Sequence, residues 1–211
     1  MLFDQATVIA FVLATLAIYL APGPDMAYIA SNSISRGAKA GAWAAIGVTT
    51  GVWLQAFAAA FGVTAIFKTS PWAFEVLRWI GVVYLCYLGI KVLRAGDEAL
   101  DRKRQPALKP STIWIKGLGI NLLNPKISVF FLSFLPQFVD PARGQVLTQL
   151  LCLSVAFCVG AVVWTLFQAV AFARLGRLTA GQSAAQAWQR RITGTALIGF
   201  AGILALSGLR R

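Results

Sequence analysis

The sequence predicts an all-α integral membrane protein, and three observations carry that expectation. Of its 211 residues, 58% are hydrophobic and only 12% charged, against about 25% charged in soluble domains, and the mean hydropathy is +0.73. The apolar residues gather in runs of about 18 or more, the length a helix needs to cross a bilayer; strands of a membrane barrel are instead about ten residues of alternating polarity. Two of these runs are interrupted by proline at matching places, as APGPD at 21–25 and LLNPK at 122–126.

Six transmembrane helices follow from the runs, at about 3–34, 42–67, 72–93, 113–138, 146–172 and 192–209. The first carries Asp4 and no Lys or Arg before Arg36, whereas a secretory leader opens on basic residues, so it reads as a span. The second follows the basic turn SRGAKAG at 35–41 and contains Gly47 and Gly51, a small-xxx-small spacing that points to close helix packing within the chain. The third and fourth are separated by the longest polar stretch, Arg94 to Thr112. The fourth contains the second proline break, and the fifth and sixth are uninterrupted. One domain over 1–211 therefore divides into a first repeat of about 1–93, a loop of about 94–112 and a second repeat of about 113–211. Three is odd, so the second half enters the membrane from the opposite face and any repeat between the halves is an inverted one.

Lys and Arg collect unevenly around these spans. If the spans alternate, thirteen fall on one side, among them Arg36, Lys39, Lys109, Lys116 and Arg174, and five on the other, including Arg143 and Arg211; Lys126 lies within a span. The positive-inside bias puts the richer side in the cytoplasm and the carboxyl terminus in the periplasm. A first segment that stopped short of crossing would leave the amino terminus inside, and the sequence leaves that open.

An offset of 101 residues lays the halves over each other, aligning LAPGPDMAYI (20–29) with NLLNPKISVF (121–130), Pro24 with Pro125 and Asp25 with Lys126. Proline removes a backbone donor and frees carbonyls, which a lipid environment tolerates only beside protein or a wet cavity. Gly23 before Pro24, and Asn124 before Pro125, read as caps followed by proline at the first helical position, so each break starts a new half-helix whose amide end attracts anions. Paired interruptions of this kind point to a transporter's binding site. Asp25 suits a helix amino end, whereas Lys126 does not and costs about 2.5–3.5 kcal/mol in mid-span. The expectation is that the two face one cavity and that one of them gains or loses a proton during transport. Asn121 lies three residues before Asn124 on the same helical face, and Gln55 and Gln168 read as glue between helices.

The same residues weigh against other classes. A net charge of +12 could suggest nucleic acid, but the basic residues flank apolar runs and form no basic, aromatic-interleaved stripe, so no nucleic-acid partner is expected. Cys86, Cys152 and Cys158 fall within spans without CxxC spacing, and the chain has no histidine. No metal site, cofactor or catalytic triad is expected. A membrane thiol redox carrier and a divalent-cation exporter of similar three-plus-three design remain the alternatives. The first places no cysteine beside a break here; the second rests on Asp25 alone, with Lys126 repelling the ion.

The motifs PGPD, SRGAKAGAWAAIGVTTG, AFEVLRWIGVVYLCYLGIK and NLLNPKISVFFLSFLPQFVDP, in this order across nearly the whole chain, resemble the LysE/RhtB family of bacterial amino-acid exporters. The resemblance implies export of an amino acid or close derivative across the inner membrane, driven by the proton gradient. Amino acid, protons and the lipid bilayer are then the partners, and whether the protein forms a homodimer stays open. By position, Pro22, Gly23, Pro24, Asp25, Asn121, Asn124, Pro125 and Lys126 correspond to the family's motif residues. Members differ at the position of Asp25, and relatives with five and with six spans occur.

Overall fold

A computed structural model describes residues 2–69 and 108–175 continuously, with single helical positions between 72 and 94 and between 191 and 202. Most of the third and sixth expected spans, and of the loop between the halves, lies outside the described residues. Every regular element among the described residues is helical.

Helix α1, Gln5–Leu20, opens at Asp4, whose carboxylate accepts the Thr7 N–H at 2.7 Å as an N-cap. A three-residue linker leads to α2, Pro24–Arg36, with Gly23 at its N-cap and Gly37 closing it at φ 90°, a left-handed position that favours glycine. The two helices bend by 53° at the linker. Helix α3, Ala38–Thr69, is unbroken. Helix α4, Pro110–Leu122, and α5, Pro125–Val129, form the second bent pair, at 50° with the turns that follow α5 included. Helix α6, Val146–Leu175, is again long and continuous. Four of the six expected segments are thus described, two as long helices and two as helices broken where the prolines stand.

The second broken segment departs from a plain helix in a way its hydropathy does not reveal. After Val129 it widens into a π turn, Phe130–Phe134, then tightens into a 3-10 turn, Leu135–Phe138. Pro136 offers no N–H, so the normal i−4 pairing fails there, and the N–H of Leu135 reaches back five residues to the carbonyl of Phe130.

Contacts fix the direction of each element. Arg143 lies 3.4 Å from Asp4 and 3.0 Å from Asp140, joining the start of α1 to the turn before α6. The Tyr28 hydroxyl donates to the carbonyl of Ile113 at 2.9 Å, joining α2 to the start of α4. The two bent pairs therefore run antiparallel, with α3 alongside α4 and α6 against α3 and α2. One end of the bundle carries Arg36, Lys39, Lys109 and Arg174; the other carries Asp4, Asp140 and Arg143. Close approach of α3 and α4 relies on glycine, since a Cβ on Gly117 would come within 2.9 Å of the Ala44 carbonyl, and one on Gly47 would run into the backbone at Trp114. The core is aromatic: Phe130, Phe131 and Phe157 are fully buried, with the Phe130 and Phe157 rings 4.7 Å apart. On α6, Val155, Val159, Val163, Phe167 and Val170 form an exposed apolar stripe at helical spacing, a surface suited to lipid.

Candidate functional site

The two breaks meet in the middle of the bundle, and each is completed by the other. At the first, α1 ends with carbonyls that the 53° bend strands. Ala17 O accepts the Ala21 N–H at 3.0 Å, and Tyr19 O accepts the indole N–H of Trp164 at 2.9 Å. The carbonyls of Ala21 and Ile18 accept the ammonium of Lys126, at 2.9 and 3.4 Å. Lys126 belongs to the first turn of α5, yet its charge sits at the carboxyl end of α1, where the helix dipole favours a cation. That resolves the apparent misplacement of a lysine at a helix amino end.

At the second break the roles are reversed. Asp25, in the first turn of α2, accepts at Oδ2 from the side-chain amides of Asn121 (2.9 Å) and Asn124 (2.8 Å). Asn124 does two things at once, because its Oδ1 also caps α5 by accepting the Lys126 N–H at 3.0 Å. The carbonyl of Asn121 takes the Asn124 N–H at 2.8 Å and the Gln55 Nε2–H at 2.6 Å. The other end of the Gln55 amide accepts from the Ser128 hydroxyl at 2.7 Å, so one α3 side chain holds both halves of the second break. Room for Asn121 comes from Gly51: a Cβ there would stand 2.6 Å from Asn121 Oδ1.

Asp25 and Lys126 line one cavity of about 40 Å³, together with Ile18, Val52, Phe157 and Trp164. Both charged residues are more than nine-tenths buried. They do not bond each other: the ammonium is held by carbonyls and the carboxylate by amides, while Asp25 Oδ1 has no hydrogen-bond partner. Such a space admits a few water molecules, whereas pockets for small molecules run to roughly 300 Å³ or more.

Of the eight residues singled out in the sequence, Asp25, Asn121, Asn124 and Lys126 come together with their polar atoms inward. Gly23 lies against them, a Cβ on it standing 3.3 Å from Lys126 Nζ. Pro24 and Pro125 are exposed and Pro22 half-buried in the linker; they shape the breaks without reaching the cavity. Sequence reading underweighted Gln55, and it missed Ser128, Trp164 and Tyr19. The Tyr19 hydroxyl donates to the carbonyl of Phe157, against the flank of Gly160. Gln168, expected as glue, lines the cavity. Cys152 is exposed and Cys158 buried, both on α6. Among the described residues no cluster of three or more His, Cys, Asp or Glu is placed to hold a metal.

Broken spans that meet at a buried charged cavity are the architecture of a membrane translocator. The chain belongs to the LysE type translocators, whose family model matches residues 16–208. It is 37% identical over 131 residues to a leucine efflux protein of Salmonella typhimurium, the match covering 62% of each chain. It is 34% identical over 139 residues to a leucine efflux protein of Klebsiella pneumoniae, covering 65% of this chain and 66% of that one. The matched stretch thus spans somewhat less than two thirds of the length of these relatives. An uncharacterized membrane protein of Pseudomonas aeruginosa is 31% identical over 211 aligned positions, 94% of each chain. No solved structure matches.

Proposed function

We propose that this protein is a secondary exporter of small amino acids or close derivatives across the bacterial inner membrane, working by proton antiport with the substrate held between the two helix breaks. The observation that carries the reading is the crossing of Asp25 and Lys126, each stabilising the break that the other begins. A zwitterion has the two charges that this arrangement already accommodates. Its ammonium suits Asp25, whose Oδ1 has no hydrogen-bond partner, or carbonyls freed at the breaks, and its carboxylate suits a half-helix amide end. Ile18, Met26, Val52, Ile127 and Phe157 around the cavity favour an aliphatic side chain, in keeping with relatives named for leucine efflux. A charged or long polar side chain would bury groups that this lining cannot pair.

The antiport follows from one of the two buried charges changing protonation between the two sides of the membrane. Antiparallel bent pairs of 53° and 50° support two inverted three-helix repeats within one domain, of about 1–93 and 113–211. Positive charge at the Arg36 and Lys109 end supports a cytoplasmic position for that end and a periplasmic carboxyl terminus. The small cavity corresponds to a closed state, which opens to load substrate.

Efflux of labelled leucine from loaded cells tests the reading, with the Asp25→Asn/Lys126→Met double variant as the inert control. Faster efflux with the native chain, abolished by collapsing the proton gradient, is expected. Equal efflux from the two strains contradicts the assignment.

A further inference from the structure

Serine and threonine in a helix surrounded by lipid ordinarily return their hydroxyl to the carbonyl one turn back. Ser33, Ser35, Thr49, Thr50, Thr64 and Thr165 all do so, at 2.6 to 2.9 Å. Thr15, Ser133 and Ser154 do not: their hydroxyls are buried and have no hydrogen-bond partner. Together with Asp25 Oδ1 they are the unpartnered buried side-chain oxygens among the described residues.

Chain direction places the three at one level of the bundle. Thr15 lies one turn from Tyr19 toward Asp4, and Ser154 one turn from Phe157 toward the start of α6. Ser133, in the π turn, lies between the break at Pro125 and the turn holding Asp140. All three therefore lie between the central cavity and the Asp4/Arg143 end. The bond from the Tyr19 hydroxyl to the Phe157 carbonyl closes α1 onto α6 between that cavity and the hydroxyls. Ring contacts lie on both sides of this level: Tyr19, Phe130 and Phe157 toward the cavity, and Phe11, Phe134 and Phe138 toward the end of the bundle.

We infer that the outer half of the translocation path runs between α1, the π turn after α5, and α6. Thr15, Ser133 and Ser154 are its polar lining and the Tyr19–Phe157 bond its inner latch. This deepens the exporter reading and rests on it. In the closed protein the hydroxyls have no partner; when the latch opens, water and the polar ends of a passing zwitterion supply partners. A purely structural core would instead have turned these hydroxyls back onto their own helices.

The test uses the full chain with its three cysteines replaced by serine, carrying Thr15→Cys, Ser133→Cys or Ser154→Cys singly, in vesicles of known orientation. A small, charged, membrane-impermeant thiol reagent is added from either side, and Val163→Cys on the lipid-facing stripe serves as a control. Labelling of all three positions from the Asp4/Arg143 side, with the control unlabelled, is expected. Adding Tyr19→Phe removes the inner latch and raises the rate of labelling from the Arg36/Lys109 side roughly three- to tenfold, the factor expected for one hydrogen bond, while the rate from the Asp4/Arg143 side, which does not pass the latch, stays as it was. No labelling at any of the three, with or without Tyr19→Phe, overturns the path, as does labelling from the opposite side alone. Leucine transport is read in the same vesicles: transport without labelling removes the path and leaves the exporter, and labelling without transport removes the exporter reading.

Discussion

Asn124 offers a graded test, because its two ends have separable jobs. Its Oδ1 caps α5 at the Lys126 N–H, 3.0 Å away, and its Nδ2 donates to Asp25 at 2.8 Å. Serine is also a good N-cap but cannot reach across to the carboxylate, so Asn124→Ser removes one hydrogen bond to a charged group, worth about 1.5–3 kcal/mol. Alanine also loses the cap, worth about 1 kcal/mol, for a total of roughly 2.5–4 kcal/mol. Aspartate keeps the cap and sets a second carboxylate against Asp25 Oδ2, where two like charges do not both stay ionised. Asn124→Asp is therefore less stable than Asn124→Ser at neutral pH and recovers as the pH falls. Unfolding of the purified proteins in mild detergent, monitored by circular dichroism, gives the order native, Ser, Ala. If Ser matched the native protein, the bond to Asp25 would be absent. If Ser and Ala were equal, the cap would contribute nothing.

Two further perturbations separate packing and local charge from the site itself. Gly51→Ala drives a Cβ to within 2.6 Å of Asn121 Oδ1 and should destabilise by about 1–3 kcal/mol, while Gly62→Ala on the same helix, with nothing within 4 Å, should gain about 0.5–1 kcal/mol; thermal unfolding of the pair compares them directly. The Thr7 N–H holds the Asp4 carboxyl below its ordinary value of 3.8. A depressed folded value means that the α1 cap contributes above 3.8 and is lost as the pH falls through the lower folded value, so amide protection at the start of α1, taken relative to the intrinsic exchange rate at each pH, should fall in acid for the native chain and not for Asp4→Asn.

How much of this was legible in the sequence varies by residue. Pro24 and Pro125 gave away both breaks, since a proline in an apolar run leaves no alternative to a freed carbonyl. Gly23 and Asn124 stood where caps belong and do cap. What the pattern could not convey was the crossing. Asp25 and Lys126 occupy equivalent places in their own half-helices, but their side chains reach 99 and 105 residues along the chain, to Asn124 and Ala21, and no local rule contains that separation. The sequence set the two charges on one cavity without saying what each would bond; what forms is an ammonium on carbonyls and a carboxylate on amides. Tyr19 and Trp164 escaped notice because aromatic residues in an apolar run look like packing until their polar ends are seen bonding backbone. The π turn escaped for a different reason. Pro136 was visible, but whether a helix answers proline by kinking, tightening or widening depends on the rings of Phe130, Phe131 and Phe134 around it.

A double-mutant cycle on Asp25→Asn and Lys126→Met, read as unfolding free energy in detergent, tests most directly whether the two breaks form one site. Each single change leaves the opposite buried charge without its neighbour, and the double change removes both. Effects that fail to add by about 1–3 kcal/mol, with the double variant more stable than the sum of the singles implies, are predicted. Effects that add to within about 0.5 kcal/mol would contradict the crossed site.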